Sequence, residues 1–186
     1  MLRKMRGFTL IELLIVVAII GILAALLIPN ALAAIQKAKQ KTAMKEIMTM
    51  STGAMDYITD HGDWSLVSQT AGNIAANTGI VTAIAPFYIK ACPINDPWNF
   101  PYQCATGTNN LNGWLGGTAP AELGNDDFIF GSTGRNGAVG SLQYDPAQPD
   151  SSRFNVSGMS DFDNDLVAWA GNWVIGPATV LIQTTT

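Results

Sequence analysis

A chain of 186 residues with a formal net charge of −4 has room for one domain beyond a membrane segment, and a second would strain its length. Only 13% of the residues are charged, and the acidic balance excludes the basic surface that nucleic acid demands. A lone histidine and two cysteines supply no clustered ligand set for a transition metal.

The chain opens on Arg3, Lys4 and Arg6 within Met1–Gly7, then runs through Phe8-Thr9-Leu10-Ile11-Glu12-Leu13 into an apolar stretch ending at Ile28. Glu12 is the anomaly. An ionised carboxylate near the centre of a membrane helix costs about 2.5–3.5 kcal/mol on insertion scales, so it needs a cationic partner. Cleavage between Gly7 and Phe8 creates one, because the new amino terminus of a neighbouring copy is a cation that Glu12 can neutralise. A conventional secretory signal, with Ala31-Leu32-Ala33 as its small residues, has an apolar region of about 7–15 residues, slightly shorter than the run Leu13–Ile28. A plain signal anchor over Phe8–Ile28 matches the ~20 residues that span a bilayer. Both readings leave Glu12 without a purpose. Removing Met1–Gly7 takes away three of ten basic residues and no acids, so the side-chain charge falls from −4 to −7.

Gly7-Phe8-Thr9-Leu10-Ile11-Glu12, the basic leader before it, and the apolar run with Pro29 behind it resemble the N terminus of type IV prepilins and pseudopilins. The resemblance implies cleavage after Gly7 by prepilin peptidase and N-methylation of Phe8. It also implies assembly with other pilin-like subunits, through Phe8 and Glu12, at an inner-membrane platform. The expected division is a leader at 1–7, a transmembrane and filament-core helix at 8–29, its amphipathic second half at 30–61, and a globular domain at 62–186.

The helical pattern extends from Phe8 to about Asp60. Ala43, Ile47, Ala54 and Ile58 share one stripe with Met44, Met48 and Met55 beside them, which predicts a face packed on a domain. Lys37, Lys41 and Lys45 form another stripe, read either as a solvated face or as a contact with acidic neighbours. Gly21 and Pro29 should bend the helix; in the resembled family, filament assembly can loosen it near this proline. His61-Gly62-Asp63 ends it. Thr70–Pro86 reads as a short helical or irregular passage. Strands are expected at Asp127–Phe130, Leu166–Trp169 and Thr179–Ile182, separated by turn-rich sequence.

Cys92 and Cys104 enclose Asn95-Asp96-Pro97-Trp98-Asn99-Phe100-Pro101-Tyr102. In a domain outside the cytoplasm this spacing favours a disulfide, worth about 3 kcal/mol by loop closure, over two buried thiols. The enclosed segment resembles the Asp-Pro-Trp-Gly-x-Pro-Tyr motif of the major pseudopilin of type II secretion systems, with Asn99 in place of glycine. Asn also enters left-handed conformations, so the turn can survive the exchange.

Downstream, Asp126-Asp127-Phe128-Ile129-Phe130 leads through a glycine-rich loop to Ser160-Asp161-Phe162-Asp163-Asn164-Asp165 and a strand with Trp169, an order similar to that of the major pseudopilins. In that family this loop binds calcium, and the resemblance makes Asp161, Asp163 and Asp165 the expected ligands. Hard cations want several oxygens, which these carboxylates and nearby carbonyls supply. The segment is not an EF-hand: Leu166 and Asn172 stand where that loop needs glycine and glutamate. An acidic loop without metal is the plainer reading. Thr106–Leu123 and Val139–Met159 are loop-like insertions relative to short pseudopilins.

No nucleotide loop or nucleophile motif is present, and Trp64, Trp98, Trp114, Trp169 and Trp173 read as core and loop anchors. The expected fold is α+β: a long N-terminal helix, its front half hydrophobic and projecting, its back half packed on a small antiparallel sheet with long loops. The expected role is a non-enzymatic filament subunit of a type II secretion pseudopilus, single-pass in the bacterial inner membrane with its domain in the periplasm. The alternative is a type IV pilus pilin serving adhesion, motility or DNA uptake.

Overall fold

A computed structural model of the chain describes residues 7–67, 71–76 and 78–178. The basic residues of the leader and the strand expected at Thr179–Ile182 lie outside the described residues. The chain forms two compact units, one ending at Gln36 and one starting at Lys37.

Helix α1 spans Leu10–His61 and runs through Pro29 without ending. In the first unit its large apolar side chains from Leu10 to Ile28 are exposed, on consecutive positions and so on every side of the helix. A helix that is apolar all round belongs inside a larger core or a membrane.

In the second unit α1 becomes one-sided. Ala43, Ile47, Met50, Ala54 and Tyr57 are buried at alternating steps of four and three, the spacing that keeps side chains on one helix face. Met44, Met48 and Ile58 flank this stripe half-buried, whereas Met55, expected beside them, is exposed. Lys37, Lys41 and Lys45 are exposed, as a solvated face requires. The helix closes as expected at His61-Gly62, where the Gly62 N–H donates to the Ile58 carbonyl at 2.7 Å.

The buried stripe lies on a sheet of six strands among the described residues: β1 (Ala71–Asn73), β2 (Gln103–Thr106), β3 (Phe128–Ser132), β4 (Arg153–Phe154), β5 (Leu166–Trp169) and β6 (Asn172–Pro177). Their order is β1-β2-β3-β5-β6-β4. All neighbours are antiparallel except β4 and β6, which pair parallel, so the sheet is mixed where the sequence suggested antiparallel. Thr70–Pro86 supplies β1 and a short helix α2 (Thr78–Ile84), so the helical part of that expectation holds and the strand is new.

Period-two alternation sends the strands' side chains to two faces. Cys104, Phe128, Phe130, Leu166 and Ala168 join α1 in one core. Ala105, Ile129, Val167 and Ile175 point the other way and are buried as well. Their cover is the first insertion, read from sequence as a loop. Its Leu111, Trp114, Leu115, Ala119 and Leu123, the last two at the ends of a one-turn helix α3 (Ala119–Glu122), form a second core. The second insertion braces the first, with Leu115 and Tyr144 forming a parallel bridge.

A fully buried Leu side chain costs about 2–5 kcal/mol when cut to alanine. Leu115→Ala should therefore lower the melting temperature by roughly 5–15 °C for a chain of this size, while Lys41→Ala leaves it unchanged. A Leu115→Ala melt that overlays wild type would mean that the insertion is mere decoration.

Candidate functional site

Three places carry chemistry. The first is the start of α1. Gly7, Phe8 and Thr9 precede the helix, and Phe8 is 81% exposed, so the Gly7–Phe8 bond lies in accessible, non-helical chain. Thr9 caps the helix. Its N–H and hydroxyl both donate to the Glu12 carboxylate, at 2.9 and 2.7 Å, while the Glu12 N–H donates to the Thr9 hydroxyl oxygen at 3.3 Å. This is a reciprocal capping box, in which residues three apart satisfy each other's backbone donors. Within the protomer, then, Glu12 has a local partner.

The second place is the Asp-Pro-Trp segment. Asp96 is buried and accepts the N–H groups of Trp98 and Phe100 on one oxygen, at 3.0 and 2.9 Å, and the Ser132 hydroxyl on the other, at 2.6 Å. Asn99 has φ of 73°, the left-handed turn foreseen where the related motif carries glycine. The Ser132 oxygen in turn accepts the Gly134 N–H at 3.1 Å, which ties this turn to the glycine-rich loop.

No disulfide is shown between the flanking cysteines. Cys92 keeps its thiol, half-buried at the edge of the first core, and Cys104 lies within that core on β2, facing α1. Cys104 is committed to the layer under the helix, and the expected Cys92–Cys104 disulfide is not shown. Burial pushes the Cys92 thiol up to about 11.

The third place is where the glycine-rich and acidic loops meet. Gly134, with φ of 69°, packs so tightly that a Cβ there would sit 2.7 Å from the Asn164 carbonyl oxygen and 2.8 Å from that of Phe162. Arg135 crosses the seam twice. Its N–H donates to the Phe162 carbonyl at 2.8 Å, and its guanidinium grips Asp163 with Nε at 2.8 Å and Nη2 at 3.0 Å. That two-pronged contact holds the Asp163 carboxyl below its usual range.

The neighbouring carboxylates look elsewhere. Asp161 accepts from the Ser157 N–H and hydroxyl, at 2.7 and 3.0 Å, and from the Gly158 N–H at 2.7 Å. Asp165, 1% exposed, accepts from the Trp114 indole at 2.6 Å and the Gly140 N–H at 2.9 Å on the same oxygen, Oδ2. Its other oxygen has no protein partner, and burial raises its pKa. Alternate positions would share one side of an extended strand, but Met159–Asp163 is a 3₁₀ turn, whose three-residue period splays them. Among the described residues no three His, Cys, Asp or Glu side chains gather to share a metal ion. As arranged, Asp161, Asp163 and Asp165 do not fit a calcium ion.

Residues 2–28 match the model described as the prokaryotic N-terminal methylation motif. The chain is similar to the type II secretion system core protein G of Dickeya chrysanthemi, 26% identical over 178 residues, 94% of this chain and 90% of that one. To its counterpart from Vibrio cholerae it is 32% identical over 146 residues, covering 75% of this chain and 88% of the relative. The chain belongs to the type II secretion system core protein G family. The Pseudomonas aeruginosa core protein G is 34% identical over 109 residues, 54% of this chain and 73% of its own. No solved structure matches significantly.

For this core protein G homologue, the sequence located the Gly7–Glu12 segment and the acidic loop but not the partners of the acids. One signal was available: Arg135 and Arg153 are the only Lys or Arg residues after Lys90, and a lone cation in a glycine-rich loop next to acids marks a candidate ion pair.

A thiol raised from 9.0 to about 11 is about 100-fold poorer in thiolate near neutral pH. Cys92 in the native chain should thus alkylate far more slowly than in urea. Alkylation of Cys92 at the same rate in the native chain and in urea would contradict this.

Proposed function

We propose that the chain is a structural, non-catalytic subunit of a type II secretion filament. Prepilin peptidase cuts it between Gly7 and Phe8 and methylates Phe8, removing the leader at 1–7. The apolar front of α1, residues 8–29, anchors the subunit in the inner membrane in a single pass, with the domain in the periplasm. From there an assembly platform adds it to other pilin-like subunits.

The observation that carries this reading is the exposed Gly7–Phe8 bond at the head of an all-round apolar helix that carries Glu12 in its first turn. The methylation-motif match over the same residues and the homology to core protein G support it. The capping box adds a mechanism. Before assembly, Thr9 satisfies the Glu12 carboxylate. During assembly the Phe8 ammonium of a neighbour offers a full charge in a medium of low dielectric, where opposite charges attract far more strongly than in water. The carboxylate exchanges a local cap for an intersubunit ion pair.

Two substitutions separate these roles. Glu12→Ala removes both cap and charge; Glu12→Gln keeps a side chain able to complete the box but removes the charge. Both variants should be processed and inserted, insertion becoming easier without the carboxylate, and both should yield few filaments. Filaments at wild-type yield from Glu12→Gln would remove the ion pair from the account.

A further inference from the structure

The arrangement of the acidic loop differs from a metal-bound one in a specific way: every carboxylate meets a protein donor, and most of those donors come from segments outside the loop itself. Asp163 is held by Arg135, from the glycine-rich loop. Asp165 is held by the Trp114 indole, from the first insertion, and by the Gly140 N–H, from the second. Asp161 is held by Ser157 and Gly158, at the end of the second insertion.

We propose that in this chain Arg135 and the two insertions take the place of a divalent cation, so that the seam between glycine-rich and acidic loops is closed by protein donors and is independent of calcium.

A cation entering this seam would have to displace the Arg135 guanidinium from both oxygens of Asp163, and the positive charge it would bring is already there. It would also have to draw in Asp161, whose Oδ2 already serves three donors. Four of the six oxygens of Asp161, Asp163 and Asp165 already accept protein hydrogen bonds, and the two that remain, Asp161 Oδ1 and the buried Asp165 Oδ1, are far short of the six to eight that calcium takes. The insertions thereby have a purpose that their composition conceals. Trp114 fills the second core with its ring and donates a hydrogen bond to a buried acid with its N–H, while the second insertion contributes backbone donors at both of its ends.

The test uses the full-length chain in detergent. Thermal melts of wild type in millimolar calcium and in excess chelator should coincide, and calorimetric titration with calcium should give no saturable heat. Arg135→Gln, which removes the charge and the two-pronged grip, should lower the melting temperature by roughly 1–4 °C in both conditions alike. Trp114→Phe, which keeps most of the ring but strips the indole donor from Asp165, should lower it further. Because Trp114→Phe can fail to fold, the wild-type titration stands on its own. Stoichiometric calcium binding, a wild-type melt raised by several degrees in calcium, or an Arg135→Gln melt identical to wild type would each overturn the proposal.

Discussion

The burial of strand β3 on both faces governs the second unit. Phe128 and Phe130 point under α1, Ile129 points under the first insertion, and the strand lies between β2 and β5. A strand with two dry faces needs two covers, and the chain supplies both from sequence that precedes β3: the amphipathic back half of α1 and residues Leu111–Leu123. Fit is tight at its end, where a Cβ on Gly131 would come within 2.6 Å of the Trp114 ring. The helix that would carry the subunit in a filament and the segment Leu111–Leu123 are therefore pinned to the same five residues.

Buried carboxylates supply the second kind of fastening. A charged group taken out of water is costly unless hydrogen bonds repay it. Asp96 is met by two backbone donors and a serine, and Asp165 by the Trp114 indole and the Gly140 N–H; the half-buried Asp127 is held in the same way by the Trp169 indole and the Gly124 N–H. Each acid joins segments far apart in sequence, which suits a domain with long loops and few charges. Two of the five tryptophans thus serve as packing and as donor at once, in keeping with aromatic anchors.

Long-period and chemically extreme features were legible in the sequence. The stripe at Ala43, Ile47 and Ala54, the β-rich runs that became β3 and β5, the left-handed turn at Asn99 and the Gly7–Glu12 segment all express local rules. What escaped depends on tertiary context. Strand β2 reads Gln-Cys-Ala-Thr, which lacks the propensity of a strand, and in β6 Gly176 and Pro177 cut short the run Trp173-Val174-Ile175; neighbours impose the pairing. The second core was hidden because Leu111, Leu115, Ala119 and Leu123 recur every fourth residue, but Gly113, Gly116, Gly117 and Pro120 break any helix through them. Asp161, Asp163 and Asp165 look like one ligand set only while the backbone is taken as extended; the 3₁₀ turn parts them.

Amide hydrogen exchange resolved by mass spectrometry addresses the two-cover architecture directly, because protection follows burial and hydrogen bonding segment by segment. The account predicts that β3 exchanges slowest and that Leu111–Leu123 is protected along with it, opening in the same cooperative step as β5. Exchange of Leu111–Leu123 at the rate of an unstructured peptide, with β3 still protected, would show that one face of the sheet stands uncovered and would contradict it.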